Sequence, residues 1–161
     1  MTVAVYPATF DPIHYGHLDI IQRATAIFDE VVVGVYDRPL KNLLFDIDER
    51  LTLVREAAGA LARVRIAAYG GLTVDFARSV GARVIVRGLR VISDFEMEWR
   101  MALTNHEIAP DVEVVCLMTR KEYAFLSSTT VREVALLRGD VSSMVPQAVV
   151  EALARRADQQ D

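Results

Sequence analysis

Tyr6-Pro7-Ala8-Thr9-Phe10-Asp11-Pro12-Ile13-His14-Tyr15-Gly16-His17 is the stretch from which the rest of the chain can be read. It follows a short apolar run, Val3-Ala4-Val5, that reads as a buried strand, and it precedes an amphipathic run from Leu18 to Phe28 that reads as a helix. The two prolines and the glycine between them predict a loop. A strand, a tight loop and a helix start make a natural place to hold phosphate, because the first N–H groups of the helix are unpaired and its dipole favours negative charge there. With a helix start near Tyr15, both His14 and His17 lie at its mouth. A solitary histidine near a helix start is usually a solvated or capping residue. Two of the chain's three histidines in one HxGH spacing, beside Thr9, weigh against that reading. Neither GxGxxG nor GxxxxGK[ST] occurs, so a phosphate site here would be built without those glycine devices.

Outward from this stretch, strands and helices alternate. Glu30 to Tyr36 is a β-branched run suited to a strand covered on both faces, and Asp37 to Phe45 is a loop carrying Pro39 and Lys41. Asp46 and Glu49 predict a capping box for a helix to about Leu61. Val64 to Ala68 reads as a strand, Leu72 to Val80 as a helix stopped by Gly81, and Arg83 to Val86 as a strand running into Arg87-Gly88-Leu89-Arg90. A helix from about Ser93 to Glu107, a strand from Val112 to Leu117, a helix opened by Ser127 to Thr130 and stopped at Gly139, and a last helix from Pro146 to Arg156 complete the pattern. Thr130 and Glu133 suggest a second capping box, and the polar tail after Ala157 is expected to fray. The alternation predicts an α/β fold: one Rossmann-like, doubly wound parallel five-stranded sheet, helices on both faces, a single domain over 1–161. Ligands in such sheets sit beyond the carboxyl ends of the strands, which would gather Thr9, Lys41, Thr73 and Arg87 into one crevice.

The bulk properties restrict the function classes. The 161 residues, 52% hydrophobic, suit one core. No apolar run approaches the roughly 18 residues of a membrane helix, and the start lacks the layout of a signal peptide. The single Cys116 has no intrachain partner and sits in an apolar stretch, which predicts a buried packing role. These features predict a cytoplasmic protein without a membrane partner. A formal charge of −4 argues against nucleic-acid binding, so a phosphate-rich ligand needs a local basic cluster.

Arg87-Gly88-Leu89-Arg90 offers that cluster: guanidinium forks suit phosphate oxygens, and Gly88 lets backbone approach a ligand. Lys41 is an ammonium in a loop, able to close over a phosphate. Ser127, Ser128, Thr129 and Thr130 supply more hydroxyls than one helix cap needs. Glu96 and Glu98 lie two positions apart on a predicted helix, do not share a face, and cannot be ranked by spacing alone. No HExxH spacing and no Ser/His/Asp or Cys/His signature can be placed. Cations, hydroxyls and helix mouths suit phosphoryl or nucleotidyl transfer, where catalysis is mainly positioning and charge stabilisation.

The TFDPIHYGH segment resembles the HxGH signature of the nucleotidyltransferase superfamily. Arg87-Gly88-Leu89-Arg90, the downstream Asp94-Phe95-Glu96 and the Lys121-Glu122-Tyr123-Ala124-Phe125 stretch narrow the likeness to the phosphopantetheine adenylyltransferases, over nearly the whole chain to the region of Pro146. The resemblance implies adenylyl transfer from ATP to 4′-phosphopantetheine, giving dephospho-coenzyme A and pyrophosphate. It implies catalytic roles for His17, Lys41 and Arg90. It implies ATP contacts from Thr9, Phe10, His17, Gly88, Leu89, Arg90, Glu98, Tyr123, Ala124, Phe125, Leu126, Ser127, Ser128 and Thr129. Thr9, Lys41, Thr73 and Arg87 would meet the acceptor. Mg²⁺ is expected with the ATP, without a nameable protein ligand, and a homohexamer and feedback by coenzyme A are implied by the same likeness. His14 stands where that family commonly has threonine. Nicotinamide mononucleotide adenylyltransferases share HxGH, which makes that acceptor the alternative, and a non-catalytic nucleotide-binding regulatory domain is the alternative outside enzymes.

Overall fold

The computed structural model describes residues 1–40 and 42–159. Lys41 therefore lies outside the described residues. Strands β1 (Val3–Ala8), β2 (Glu30–Tyr36), β3 (Val64–Tyr69), β4 (Val84–Leu89) and β5 (Glu113–Met118) form one sheet in the order β3-β2-β1-β4-β5. All four pairings are parallel, so the sheet is the Rossmann-like one expected, with its order reversing between β1 and β4.

Helices α1 (Tyr15–Ala24), α2 (Ile47–Ala58), α5 (Ser128–Leu136) and α6 (Gln147–Asp158) supply one buried apolar layer with Ala4, Tyr6, Val31, Val33 and Val35 of the sheet. The opposite face carries Val3, Val5, Val32 and Ile85 under α3 (Thr73–Ser79), while α4 (Ile92–Ile108) buries only Glu98. Successive strand residues point to opposite faces, which is why these continuous apolar runs fill two layers at once. Among the described residues no helix is long and apolar enough to cross a membrane.

Several local expectations need correction. β1 continues through Pro7 to Ala8, and β4 continues through Arg87 to Leu89, so Arg87 and Gly88 belong to a strand rather than to the loop after it. β1 and β2 pair over six residues, whereas β1 and β4 pair only at Ala4↔Val84 and Val5↔Ile85. Pro7 has no N–H to offer, and beyond Val5 the two central strands part. The Arg87 guanidinium reaches into the gap, and its Nη1 donates to the Pro7 carbonyl at 2.8 Å. The capping box at Asp46 and Glu49 is present. The one proposed at Thr130 is not: Ser127 is the N-cap of α5 and accepts from the Thr130 N–H at 3.0 Å. The C-terminal helix runs to Asp158, two residues past the expected Arg156, with Ala157 buried against the core; the end of the tail, 160–161, lies outside the described residues. Cys116 is exposed, not buried, and lies on β5, an edge strand of the sheet.

Candidate active site

The parting of β1 and β4 opens a cleft of about 450 Å³ at the carboxyl end of the sheet. One wall is the start of α1. His14 is its N-cap and His17 its third residue, and the two form a reciprocal capping box: the His17 N–H donates to His14 Nδ1 at 3.3 Å, and the His14 N–H donates to His17 Nδ1 at 3.2 Å. Their rings stack with centroids 3.7 Å apart and 19° between planes. A Cβ at position 16 would lie 3.0 Å from the His14 ring, so Gly16 is what lets the rings close over the helix start. Because each Nδ1 accepts, each ring carries its proton on Nε2. Burial, and then the charge of Arg90, push the His14 pKa down to about 3. His14 is therefore neutral at physiological pH. His17 is half-buried, edged by the Phe10 ring at 4.9 Å, and lines the cleft.

The opposite wall comes from the end of β4 and the start of α4. Arg90 is fixed on three sides: Nε and Nη2 donate to Asp94 at 3.0 and 3.2 Å, and Nη1 donates to the Leu126 carbonyl at 2.6 Å. Burial would raise the Asp94 carboxyl, but hydrogen bonds and charge from Arg90 outweigh it and hold the pKa below the usual value. Arg87 makes a fork-on-fork pair with Glu98, Nε to Oε2 at 2.8 Å and Nη2 to Oε1 at 2.6 Å. Burial opposes the charge on Arg87, yet the Glu98 bonds win and raise its pKa. The structure thus separates the two glutamates that spacing could not rank: Glu98 is buried and paired, Glu96 is exposed.

The third wall is the mouth of α5. The Ser127 hydroxyl caps the helix and Ser128 donates to the Pro12 carbonyl at 2.9 Å, so these hydroxyls already have structural duties. The first-turn N–H groups of Ser128 and Thr129 have no intrahelical acceptor, as at any helix start, and both residues line the cleft.

The cleft therefore gathers Thr9, Phe10, His17, Thr73, Arg87, Gly88, Arg90, Glu98 and Ser127 to Thr129. A Cβ on Gly88 would meet Ile20 at 3.2 Å, so this glycine serves close packing of α1 on β4. Among the described residues, five expected ones are not in the lining. Leu89 and Leu126 are buried. Tyr123, Ala124 and Phe125 lie on the turn between β5 and α5, with the Tyr123 ring 6.4 Å from that of Tyr15. Sequence reasoning missed Tyr6, Pro7, Tyr36, Tyr69, Asp94 and Thr119. Tyr36 and Tyr69 are the last residues of β2 and β3, so the strand-end rule applied residue by residue would have found them.

A cation-lined cleft fed by two helix mouths, at the switch point of such a sheet, is that of a nucleotidyltransferase. The family model described as cytidylyltransferase-like matches residues 5–134. A phosphopantetheine adenylyltransferase from Roseiflexus castenholzii is 55% identical over 155 residues, covering 96% of this chain and 97% of its own. One from Heliobacterium modesticaldum is 52% identical, covering 97% and 93%, and one from Alkaliphilus metalliredigens is 45% identical, covering 98% and 100%. The chain belongs to the phosphopantetheine adenylyltransferase family. A solved structure provisionally named a nicotinate-nucleotide adenylyltransferase, from Vibrio parahaemolyticus, superposes with a TM-score of 0.74 over 98% of this chain and 94% of that one; at 20% identity it speaks for the fold alone.

Proposed function

We propose that the protein transfers the adenylyl group of ATP to 4′-phosphopantetheine, giving dephospho-coenzyme A and pyrophosphate. The observation that carries this reading is the continuity of two cavities. The polar cleft shares Pro7, Tyr36, Tyr69, Thr73, Arg87 and Glu98 with a second cavity of about 250 Å³. That second cavity runs on between Leu72, Met101, Ala102 and Ile108, with Asn105 as a polar group among them. An acceptor with a phosphate at one end and a long arm of methylenes and amides at the other suits this shape. A compact pyridine nucleotide leaves the apolar part unfilled.

The acceptor phosphate has a second pKa of about 6 and is already a nucleophile at neutral pH. It attacks the α-phosphorus of ATP, one P–O bond forms, the α–β P–O bond breaks, and pyrophosphate leaves with the electron pair. His17 donates its Nε2 proton as a hydrogen bond to the α-phosphate oxygens, with Nδ1 held by the His14 N–H. Arg90 adds positive charge from a position that Asp94 and Leu126 hold in place. The mouths of α1 and α5 meet the nucleotide phosphates, Thr9 and Thr73 face the acceptor, and Lys41 is assigned to the acceptor phosphate on the family likeness. Asp94 and Glu98 are taken up by Arg90 and Arg87, and among the described residues no group of three or more His, Cys, Asp or Glu is placed to hold a metal. Mg²⁺ would enter with ATP, where phosphate oxygens and water would be its ligands.

Coenzyme A, which joins the pantetheine arm to an adenine nucleotide, would compete for both cavities. The homohexamer of the family is supported by the bare apolar face of α4, which leaves Ile92, Phe95, Trp99 and Leu103 exposed in the single chain. A cytoplasmic setting suits the ATP supply the reaction needs. The test is pyrophosphate release at saturating ATP with 4′-phosphopantetheine and with nicotinamide mononucleotide in parallel. Turnover with the first alone is expected. Preference for the second would replace the acceptor, and ATP binding with no pyrophosphate from either would replace the enzyme by a regulatory domain.

A further inference from the structure

Arg50, on α2, is a large side chain at 0% exposure, and the chemistry above does not use it. Its guanidinium reaches three backbone carbonyls from three segments that border the cleft: Nη1 donates to Thr9 and to Tyr36, each at 2.7 Å, and Nε donates to Phe45 at 3.2 Å. Tyr36 ends β2 and Phe45 precedes the N-cap of α2, so both ends of the 37–45 connection are tied to one buried cation. From the other side, the buried Asp11 carboxylate accepts from the N–H groups of Leu44 and Phe45 at 2.9 Å each and is itself paired with Arg132. Both backbone polar groups of Phe45 thus end on buried charges of opposite sign. Beside Thr9, Phe10 sits at φ 52°, a conformation rare for a bulky side chain, which persists only where its surroundings impose it.

We propose that Arg50 is a positioning residue of the transfer reaction, acting through the Thr9 carbonyl and the two ends of the 37–45 connection to fix the acceptor half of the cleft. The inference rests on the reading of Thr9 as a contact of the acceptor phosphate. The ATP half is held independently, by the His14–His17 box, the Arg90–Asp94 pair and the mouth of α5. A planar fork meets these separate carbonyls in fixed directions, and a lysine ammonium in its place cannot. Loss of the fork frees Thr9–Phe10 to relax toward negative φ and carries the Thr9 hydroxyl away from the phosphate it would meet.

The test is R50K, with steady-state kinetics taken separately for each substrate. A misplacement of this kind should lower kcat/KM for the acceptor by about 100-fold. The KM for ATP should stay within about threefold, because its contacts are not the ones removed. A rise in the KM for ATP as large as that for the acceptor, or no loss of kcat/KM for the acceptor, overturns the proposal. Should R50K not fold, hydrogen exchange on the unaltered protein decides. Leu44 and Phe45 amides exchanging as slowly as those of Val33 and Val35 in β2 support the clamp, and exchange at the rate of open loops overturns it. The exchange result stands whichever acceptor the unaltered protein uses. Absence of turnover with 4′-phosphopantetheine would therefore count against the proposed reaction and not against the clamp.

Discussion

The two helices that wall the cleft, α1 and α4, are built by opposite means. α1 buries Gly16, Asp19, Ile20, Ile21 and Ala24, and its first turn is closed by two side chains that cap each other. α4 is seventeen residues long, starts at Val91 with no side-chain cap, and buries only Glu98. Its contribution to the cleft is held instead by two arginines of the preceding segment, Arg87 on Glu98 and Arg90 on Asp94. One wall is set by packing within the chain, the other by ion pairs behind an uncovered apolar face. A site with one self-sufficient wall and one underpacked wall is expected to depend on assembly for its second half.

Five substitutions would break or sharpen this contrast. The largest effect is expected from an apolar-to-charge swap on each helix. Ile21→Asp places an unpaired carboxylate at a position with 0% exposure and should abolish the folded state, since burial of a lone charge costs as much as the whole stability of a domain, about 5–15 kcal/mol. Trp99→Asp, at 56% exposure, should leave the folded chain intact and reduce the proposed assembly to the 17.9 kDa chain in sedimentation. Survival of the assembly would remove α4 from the interface.

His17→Ala comes next. Losing one donor at the developing charge is expected to lower kcat by about 10²–10³, or roughly 3–4 kcal/mol, with ATP affinity far less affected. Single-turnover pyrophosphate release measures it, and an unchanged rate would exclude the imidazole from the transition state. Third, Arg87→Ala strands the Glu98 carboxylate, whose side chain is only 7% exposed. Arg87 is itself one-third exposed, so about 2–3 kcal/mol of stability should be lost in urea titration, below the full cost of breaking a buried pair.

The smallest and most diagnostic effect concerns pH. His14 has a pKa near 3 in the fold against about 6.5 in the open chain, so the unfolded state takes up a proton that the native state refuses. The stabilising neutral form is fully present above about 6.5, and its contribution is lost as pH falls from there toward 3, with a slope approaching 1.4 kcal/mol per pH unit. His14→Thr should show a shallower loss of urea stability than the unaltered chain across that window. Parallel curves would remove His14 as the cause.

Much of this was legible before any coordinates. The alternation of apolar runs and turn signals gave the sheet and its parallel sense, and Asp46 with Glu49 marked a helix start, because both depend on residues close in sequence. Errors arose where distant partners decide. Pro7 reads as a strand breaker, yet β2 keeps it in register with Gly34. The run around Cys116 reads as buried because apolar residues do not reveal whether a strand lies at the edge of a sheet. Ser127 and Thr130 both look like caps, and only the path of the chain selects the first. Glu98 could not be preferred to Glu96 until Arg87, eleven residues earlier, was seen to meet it. The buried Arg50 was invisible for the same reason: its three acceptors come from three segments.

The short seam between β1 and β4 carries a mechanical consequence. Two residue pairs join the wing of β3, β2 and β1 to the wing of β4 and β5, and past them the Arg87 guanidinium reaches across the divide to the Pro7 carbonyl. Substrates lying in that divide become stitches across it, so the sheet itself is expected to tighten when they bind and to loosen when they leave.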